Sequence, residues 1–269
     1  MEYTWNLILL LVICGIIFGA LTTMAGSGGG VFYVSFMVLI LNIPFDEARD
    51  TSIFIMVIAS GTAFISYLRQ NRTDIKLSLF FSMFAILGSI LCWIFLFFFP
   101  ISNELLRIIF GFVLLITAAN MIFKTYMDKK NGCNSGGLNC DFNLQDFNYK
   151  KNLKSGIPFF IAAGVASRLL GIGGGIINCP SLHIVFGYPI HNATAISNSI
   201  VFFNAVFNTI LLIQYGKINY LVGIYLAIGS VIGAIIGAKL SDKMPKLQLQ
   251  IFVSVFLVFI GINILFPII

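Results

Sequence analysis

Charge is scarce in this sequence: only 10% of its 269 residues are Asp, Glu, Lys or Arg, where a soluble domain carries about a quarter. With 59% of the chain apolar, no water-soluble fold could hide so much hydrocarbon. Histidine is nearly missing, with His183 and His191 the two in the chain, and no Asp or Glu lies well inside an apolar run. That shortage argues against a membrane-embedded hydrolase, which needs an acid/base pair or a metal cluster. It also leaves no buried carboxylate in view for coupling transport to protons, so the coupling ion stays open. No metal site and no cofactor is expected. Five cysteines is an odd number; Cys14, Cys92 and Cys179 fall in apolar segments, while Cys133 and Cys140 share a polar central loop and read as lone thiols.

What the chain has in abundance is apolar length. Runs cover 5–25, 31–43, 52–68, 77–99 and 105–126, then 156–170, 176–186, 195–215, 220–240 and 247–269. About 20 residues of helix cross a hydrocarbon core of roughly 30 Å, so the bilayer is the solvent. The first run lacks a basic leader and a small-x-small cleavage site, which makes it a span rather than a signal peptide. A net charge of +6 could suggest nucleic acid, yet the Lys and Arg residues collect in short loops between runs and form no stripe. The expected partners are therefore a lipid bilayer and a small solute, with no nucleic acid; homo-oligomerisation is left open. The localisation expected is the cell membrane, multi-pass.

Compared with itself, the sequence repeats. Gly26-Ser27-Gly28-Gly29-Gly30 matches Gly171-Ile172-Gly173-Gly174-Gly175, 145 positions on. The same spacing pairs Gly19 with Gly164, Pro44 with Pro189, Ala48 with Ala193, Ser52 with Ser197, Gly88 with Gly233 and Pro100 with Pro245. Glycines and prolines in ungapped register over most of a half point to duplication. The units read as a first transmembrane repeat over 1–126, a cytoplasmic linker over 127–154 and a second repeat over 155–269. The apolar runs after the glycine clusters hold about a dozen residues, roughly 18 Å of helix, too short to span with ease. Short, glycine-broken segments at matching places in two halves are the pattern of discontinuous or re-entrant transporter helices. Basic loops set the sidedness: Arg69, Arg72 and Lys76, and the central Lys124, Lys129, Lys130, Lys150, Lys151 and Lys154, belong in the cytoplasm. The Pro100 turn and the acidic loop of Asp46, Glu47 and Asp50 then face outside. Placing Lys239, Lys243 and Lys246 inside requires an odd number of crossings per half, which inverts one half against the other. The fold class expected is all-α: a polytopic bundle of two homologous, inverted repeats.

Three groups of residues could carry chemistry. A helix starting at Gly29 or Gly174 would aim free N–H groups and the positive end of its dipole at an anion without putting charge in lipid. Close packing of helices is the alternative use of such glycines. Neither cluster has the Lys-Ser/Thr or the strand context of a nucleotide loop. Ser52 and Ser60 in one half, and Ser197, Asn198, Ser199, Asn204 and Asn208 in the other, supply neutral donors or else interhelical hydrogen bonds. Arg168, inside an apolar run, is an anion ligand or a cation paired with a neighbour; its counterpart is Thr23.

The stretch Gly164 to Pro180, reading GVASRLLGIGGGIINCP, with Pro189, Ala193 and Ser197 after it, resembles the TauE/SafE sulfite exporter family, also called the TSUP family. The first half repeats a degenerate version, GALTTMAGSGGGVFYVS, with Ser35 where the second half has Pro180. The resemblance implies an inner-membrane transporter, an exporter or permease for sulfite, sulfonates or related organosulfur anions, with both glycine motifs near the substrate path. The substrate-binding set expected is Gly26, Ser27, Gly28, Gly29, Gly30, Ser52, Arg168, Gly171, Gly173, Gly174, Gly175, Ser197, Asn198 and Asn204. The competing readings are a membrane enzyme acting on lipid and a non-catalytic scaffold. Gly28→Val and Gly173→Val are expected to abolish transport while leaving protein in the membrane, checked by flux assay and membrane fractionation.

Overall fold

A computed structural model describes residues 5–99, 102–130 and 153–241, with Val258 and Ile262. The loop thiols Cys133 and Cys140, the turn prolines Pro100 and Pro245, the basic residues Lys150, Lys151, Lys243 and Lys246, and the rest of the 247–269 run lie outside the described residues. Among those described, the regular structure is helical: α1 (Trp5–Ala25), α2 (Gly30–Leu39), α3 (Phe45–Arg69), α4 (Ile75–Phe98), α5 (Asn103–Lys130), α6 (Leu153–Leu170), α7 (Gly175–Ile184), α8 (Ile190–Tyr215) and α9 (Tyr220–Leu240). Five are long and apolar enough to cross a membrane: Trp5–Ala25, Phe45–Arg69, Ile75–Phe98, His191–Tyr215 and Tyr220–Leu240.

The repeat governs where helices begin and end. α2 and α7, α3 and α8, and α4 and α9 all start 145 positions apart, and α2 and α7 end at that spacing too. Local chemistry at the starts also matches. Pro44 and Pro189 precede α3 and α8, each with its carbonyl accepting from the N–H four residues on, at 2.9 and 2.8 Å. A proline there has no amide hydrogen to leave orphaned. Asp74 and Asn219 cap α4 and α9 with side-chain oxygens that accept from Lys76 N and Val222 N. At ten residues each, α2 and α7 reach only roughly 15 Å.

Packing crosses between the halves. α1 lies along α9, α4 along α6, and α3 along α8 at the centre. α3 and α8 run antiparallel: Ala63 and Tyr67, late in α3, share a cluster with Ala195 at the start of α8, and Phe64 stacks on Phe202 at 5.6 Å. Small residues make the close pairs possible. Gly19 rests on the backbone of Ser230, and its counterpart Gly164 rests on Ala85; Gly233 rests on Ile16, and Gly88 on Ile161. Where lipid is as apolar as leucine, such backbone contact supplies the association energy. Leu9, Ile13 and Ile17 of α1 and Met83, Leu87 and Leu91 of α4 stay exposed, the outward face expected of helices standing in hydrocarbon.

Gly19→Leu and Gly164→Leu should each wedge a helix pair apart and cost about 2 kcal/mol or more. Thermal melting of the detergent-solubilised protein checks this; an unchanged midpoint in either variant would contradict the pairing.

Candidate functional site

The two glycine segments meet in the interior. A methyl group on Gly30 would overlap the carbonyl oxygen of Gly171, and one on Gly175 would stand 2.5 Å from that of Gly26. Ser52 Oγ donates to the Gly171 carbonyl at 3.0 Å and to that of Arg49 at 2.7 Å. Its counterpart Ser197 donates to the Gly26 carbonyl at 2.7 Å and lies 3.3 Å from that of Gly175. Each half thus holds the other's loop through the same serine. Gly29 and Gly174 precede α2 and α7 in the left-handed region, at φ 90° and 74°, and neither helix start has a side-chain cap. Gly26 to Gly30 and Gly171 to Gly175 are all buried. Two uncapped helix amino termini inside a protein leave N–H donors in need of a partner.

These glycines also serve close packing, the alternative weighed from the sequence. A Cβ on Gly28 would stand 2.7 Å from Val201 Cγ1, and one on Gly173 2.6 Å from Met56 Sδ, both at positive φ. Valine at either place would therefore destabilise the fold, so the expectation that protein survives intact in the membrane is revised. Met56 and Val201 are themselves repeat counterparts, which is the same reciprocity again.

Arg168 is 7% exposed and sits in a cluster that sequence reading missed. Its Nη1 is 3.5 Å from Asp50 Oδ1, which also accepts from Arg49 Nε at 2.9 Å. Asp50 Oδ2 accepts from the Lys217 amide at 3.2 Å. Asp46, Glu47 and Asp50 form the start of α3, not a loop, and Asp50 is 3% exposed. A buried carboxylate therefore exists, contrary to expectation: helix α3 begins seven residues before the 52–68 run, and the fold covers its first turns. Two guanidiniums share this one buried carboxylate, and Arg168 Nε has no hydrogen-bond partner among the described residues.

The cluster forms the buried end of an open cavity of about 730 Å³. Asp46, Arg49, Trp93, Phe97, Asn103, Arg168 and Tyr215 are among its lining residues. Lys217, exposed beside it, donates to Asp46 Oδ2 at 3.0 Å, and that hydrogen bond raises its pKa above the usual lysine value. On the opposite side of the repeat, Thr23, Thr194 and Ala195 stand where Arg168, Arg49 and Asp50 do here. Asn198 is spent there as structural support, its Nδ2 donating to the carbonyls of Thr23 and Thr194 at 3.1 and 3.2 Å. Asn204 Oδ1 accepts from Ser89 Oγ at 2.8 Å and from Asn208 Nδ2 at 3.2 Å, in a buried polar group between α4 and α8. Ser27 Oγ is buried without a partner among the described residues. Ser60 donates to the Met56 carbonyl within its own helix, and His183 Nδ1 lies 2.8 Å from the Tyr188 carbonyl.

A buried cationic end to a cavity, beside two inward helix amino termini, suits passage of an anion. The sulfite exporter TauE/SafE family matches residues 11–264. The chain belongs to that family. It is a multi-pass membrane transporter of the TauE/SafE type, a family of transporters and not of enzymes. Among similar proteins, the probable membrane transporter protein YunE of Bacillus subtilis (strain 168) is 22% identical over 96% of this chain and 97% of its own length. The probable membrane transporter protein YdhB of the same organism is 26% identical over 91% and 93%. The probable membrane transporter protein MJ0441 of Methanocaldococcus jannaschii is 28% identical over 75% and 71%. No solved structure gives a significant match.

Removing Asp50 strands two buried cations, whereas removing Arg168 leaves a matched pair. Asp50→Asn should therefore lower stability by about 3 kcal/mol, and Arg168→Met by clearly less. Melting midpoints of the two variants in detergent give the order; the reverse order would count against the shared-carboxylate arrangement.

Proposed function

We propose that this transporter carries a small anion, sulfite, a sulfonate or a related organosulfur compound, through the cavity that ends at Arg49 and Arg168. The observation that carries this reading is the pair of buried guanidiniums sharing the Asp50 carboxylate, with Arg168 Nε left without a partner among the described residues. A transported anion offers the compensating charge, and a sulfonate or sulfite can accept from a guanidinium edge in two places at once. Asp50 keeps the cations tolerable when no anion is bound, because an unpaired cation at membrane depth is expensive.

The apolar walls supplied by Trp93, Phe97 and Tyr215 suit an organic tail on the anion. Backbone N–H groups at the starts of α2 and α7 then supply uncharged donors deeper in the protein. With the two halves inverted across the bilayer, α3 and α8 antiparallel, the starts of α2 and α7 approach the midplane from opposite sides, as in transporters with discontinuous helices. Under the orientation set by the basic loops the cavity opens outward, with the linker in the cytoplasm. Residues of both repeats, 1–126 and 155–269, line that path together. The family name supports sulfite as a candidate without fixing it, since the relatives are named only as probable membrane transporters.

Arg168→Gln should reduce flux of sulfite or a simple sulfonate into proteoliposomes at least tenfold and remove ligand-induced thermal stabilisation. Thr23→Val, at the neutral counterpart, should leave flux within about twofold, since a side chain off the path contributes no binding energy to the solute. Equal flux in wild type and Arg168→Gln would overturn the reading.

A further inference from the structure

The two sides of the repeat share a backbone plan and differ in what fills it. On the first side Tyr33 of α2 is fully buried. Its hydroxyl lies 2.8 Å from Ser230 Oγ on α9 and is also hydrogen-bonded to Thr22 of α1. On the second side the places of Tyr33, Thr22 and Ser230 are taken by Asn178, Ser167 and Ala85. The register is secure at this point, because Gly19 rests on Ser230 as Gly164 rests on Ala85.

A phenol has become a short amide, and its partner hydroxyl a methyl. What remains is polar and unpaired: Asn178 Oδ1 and Ser167 Oγ have no hydrogen-bond partner among the described residues, and both residues are 1% exposed. Leaving such atoms without a partner costs about 1–3 kcal/mol each, and two of them on the neighbouring helices α6 and α7 call for a bound partner. Asn178 lies in the first turn of α7, whose start at Gly174 has no side-chain cap. Ser167 precedes Arg168 in α6, and its counterpart Thr22 stands 3.0 Å from where a Cβ on Gly29, the residue before α2, would lie. The contrast extends one layer further: Tyr67 bonds the Thr23 carbonyl at 2.9 Å amid Ala63, Ala195 and Ala234. The counterparts of Tyr67 and those three alanines are Leu212, Asn208, Asp50 and Ser89.

We infer that Ser167, Asn178 and the amino terminus of α7 form a second, uncharged subsite for a small oxyanion, and that Tyr33 closes the equivalent place in the first half. This rests on the anion reading given above. The Ser167 hydroxyl and the free N–H groups of α7 donate to the oxyanion, and the Asn178 amide, unpartnered on its oxygen, can turn its NH2 edge to it. An anion leaving the guanidiniums is passed to neutral donors that hold it less tightly, which lets it move on. Transport therefore runs through one side of a duplicated fold.

The test copies the first half's closure into the second. Asn178→Tyr combined with Ala85→Ser restores the Tyr33–Ser230 pair, and Ser167→Val serves as a second variant that changes one small side chain. Sodium sulfite, methanesulfonate and taurine are the probes, with binding measured by isothermal titration on purified protein and flux in proteoliposomes. Both variants are expected to melt within a few degrees of wild type, to bind the wild-type ligand at least tenfold more weakly and to lose most flux. Wild-type binding and flux in either folded variant would overturn the subsite while leaving the anion reading intact. A wild-type protein that neither binds nor moves any of the three anions would overturn both.

Discussion

Two stretches of chain with almost no side chains press together inside this protein, and the remaining architecture depends on that contact. Gly30 lies on the Gly171 carbonyl and Gly175 on that of Gly26, so any larger residue at either place would separate the halves. Buried loops carry backbone groups that lipid cannot satisfy, and the fold answers for two of them with one serine from each half, Ser52 and Ser197. The arrangement is reciprocal, each half completing the other. It also brings two short helices in with their amino termini uncapped, which places positive dipole ends inside the protein without any charged side chain.

On this symmetric frame the side chains are deliberately unequal. Arg49, Asp50 and Arg168 gather on one side, where the other carries Thr194, Ala195 and Thr23. Ser89, Asn204 and Asn208 form a buried hydrogen-bonded group where the other side of the repeat has Ala234, Ala59 and Ala63. Duplication supplies one backbone plan twice, and side-chain divergence makes its two sides chemically unequal. The shared carboxylate is the element that makes two buried cations tolerable, because it pairs with both at once.

Much of this was legible beforehand because its signals are local or periodic. Ten apolar runs, duplicated glycines and duplicated prolines required only the length of a helix and the cost of charge in lipid. The boundaries of α2 and α7 came out in register although Ser35 replaces the proline found at Pro180, because the glycine before each helix, not the proline within it, sets the start. Arg168 stood out as a cation in an apolar run. Asp50 did not, because it lies just before the 52–68 run, and a run boundary in sequence is not a burial boundary in space. Arg49 was missed for the same reason. Asn198 drew notice as a donor row member and turned out to brace the Thr23 and Thr194 carbonyls.

The sequence by itself determined that the chain lives in a bilayer, is helical, is built twice and breaks its helices at two matching glycine clusters, since each of these follows from composition, period or repeat. Only the tertiary structure decided which residues face one another: that each serine clamps the opposite half's loop, that Asp50 is buried between two arginines, and that Tyr33 meets Ser230 on one side where Asn178 Oδ1 on the other has no partner among the described residues. Those facts join residues more than a hundred positions apart, and no local pattern reports a distance between them. Lipid imposes the spans, whereas the contacts between spans are chosen by shape and by the need of every buried polar atom for a partner.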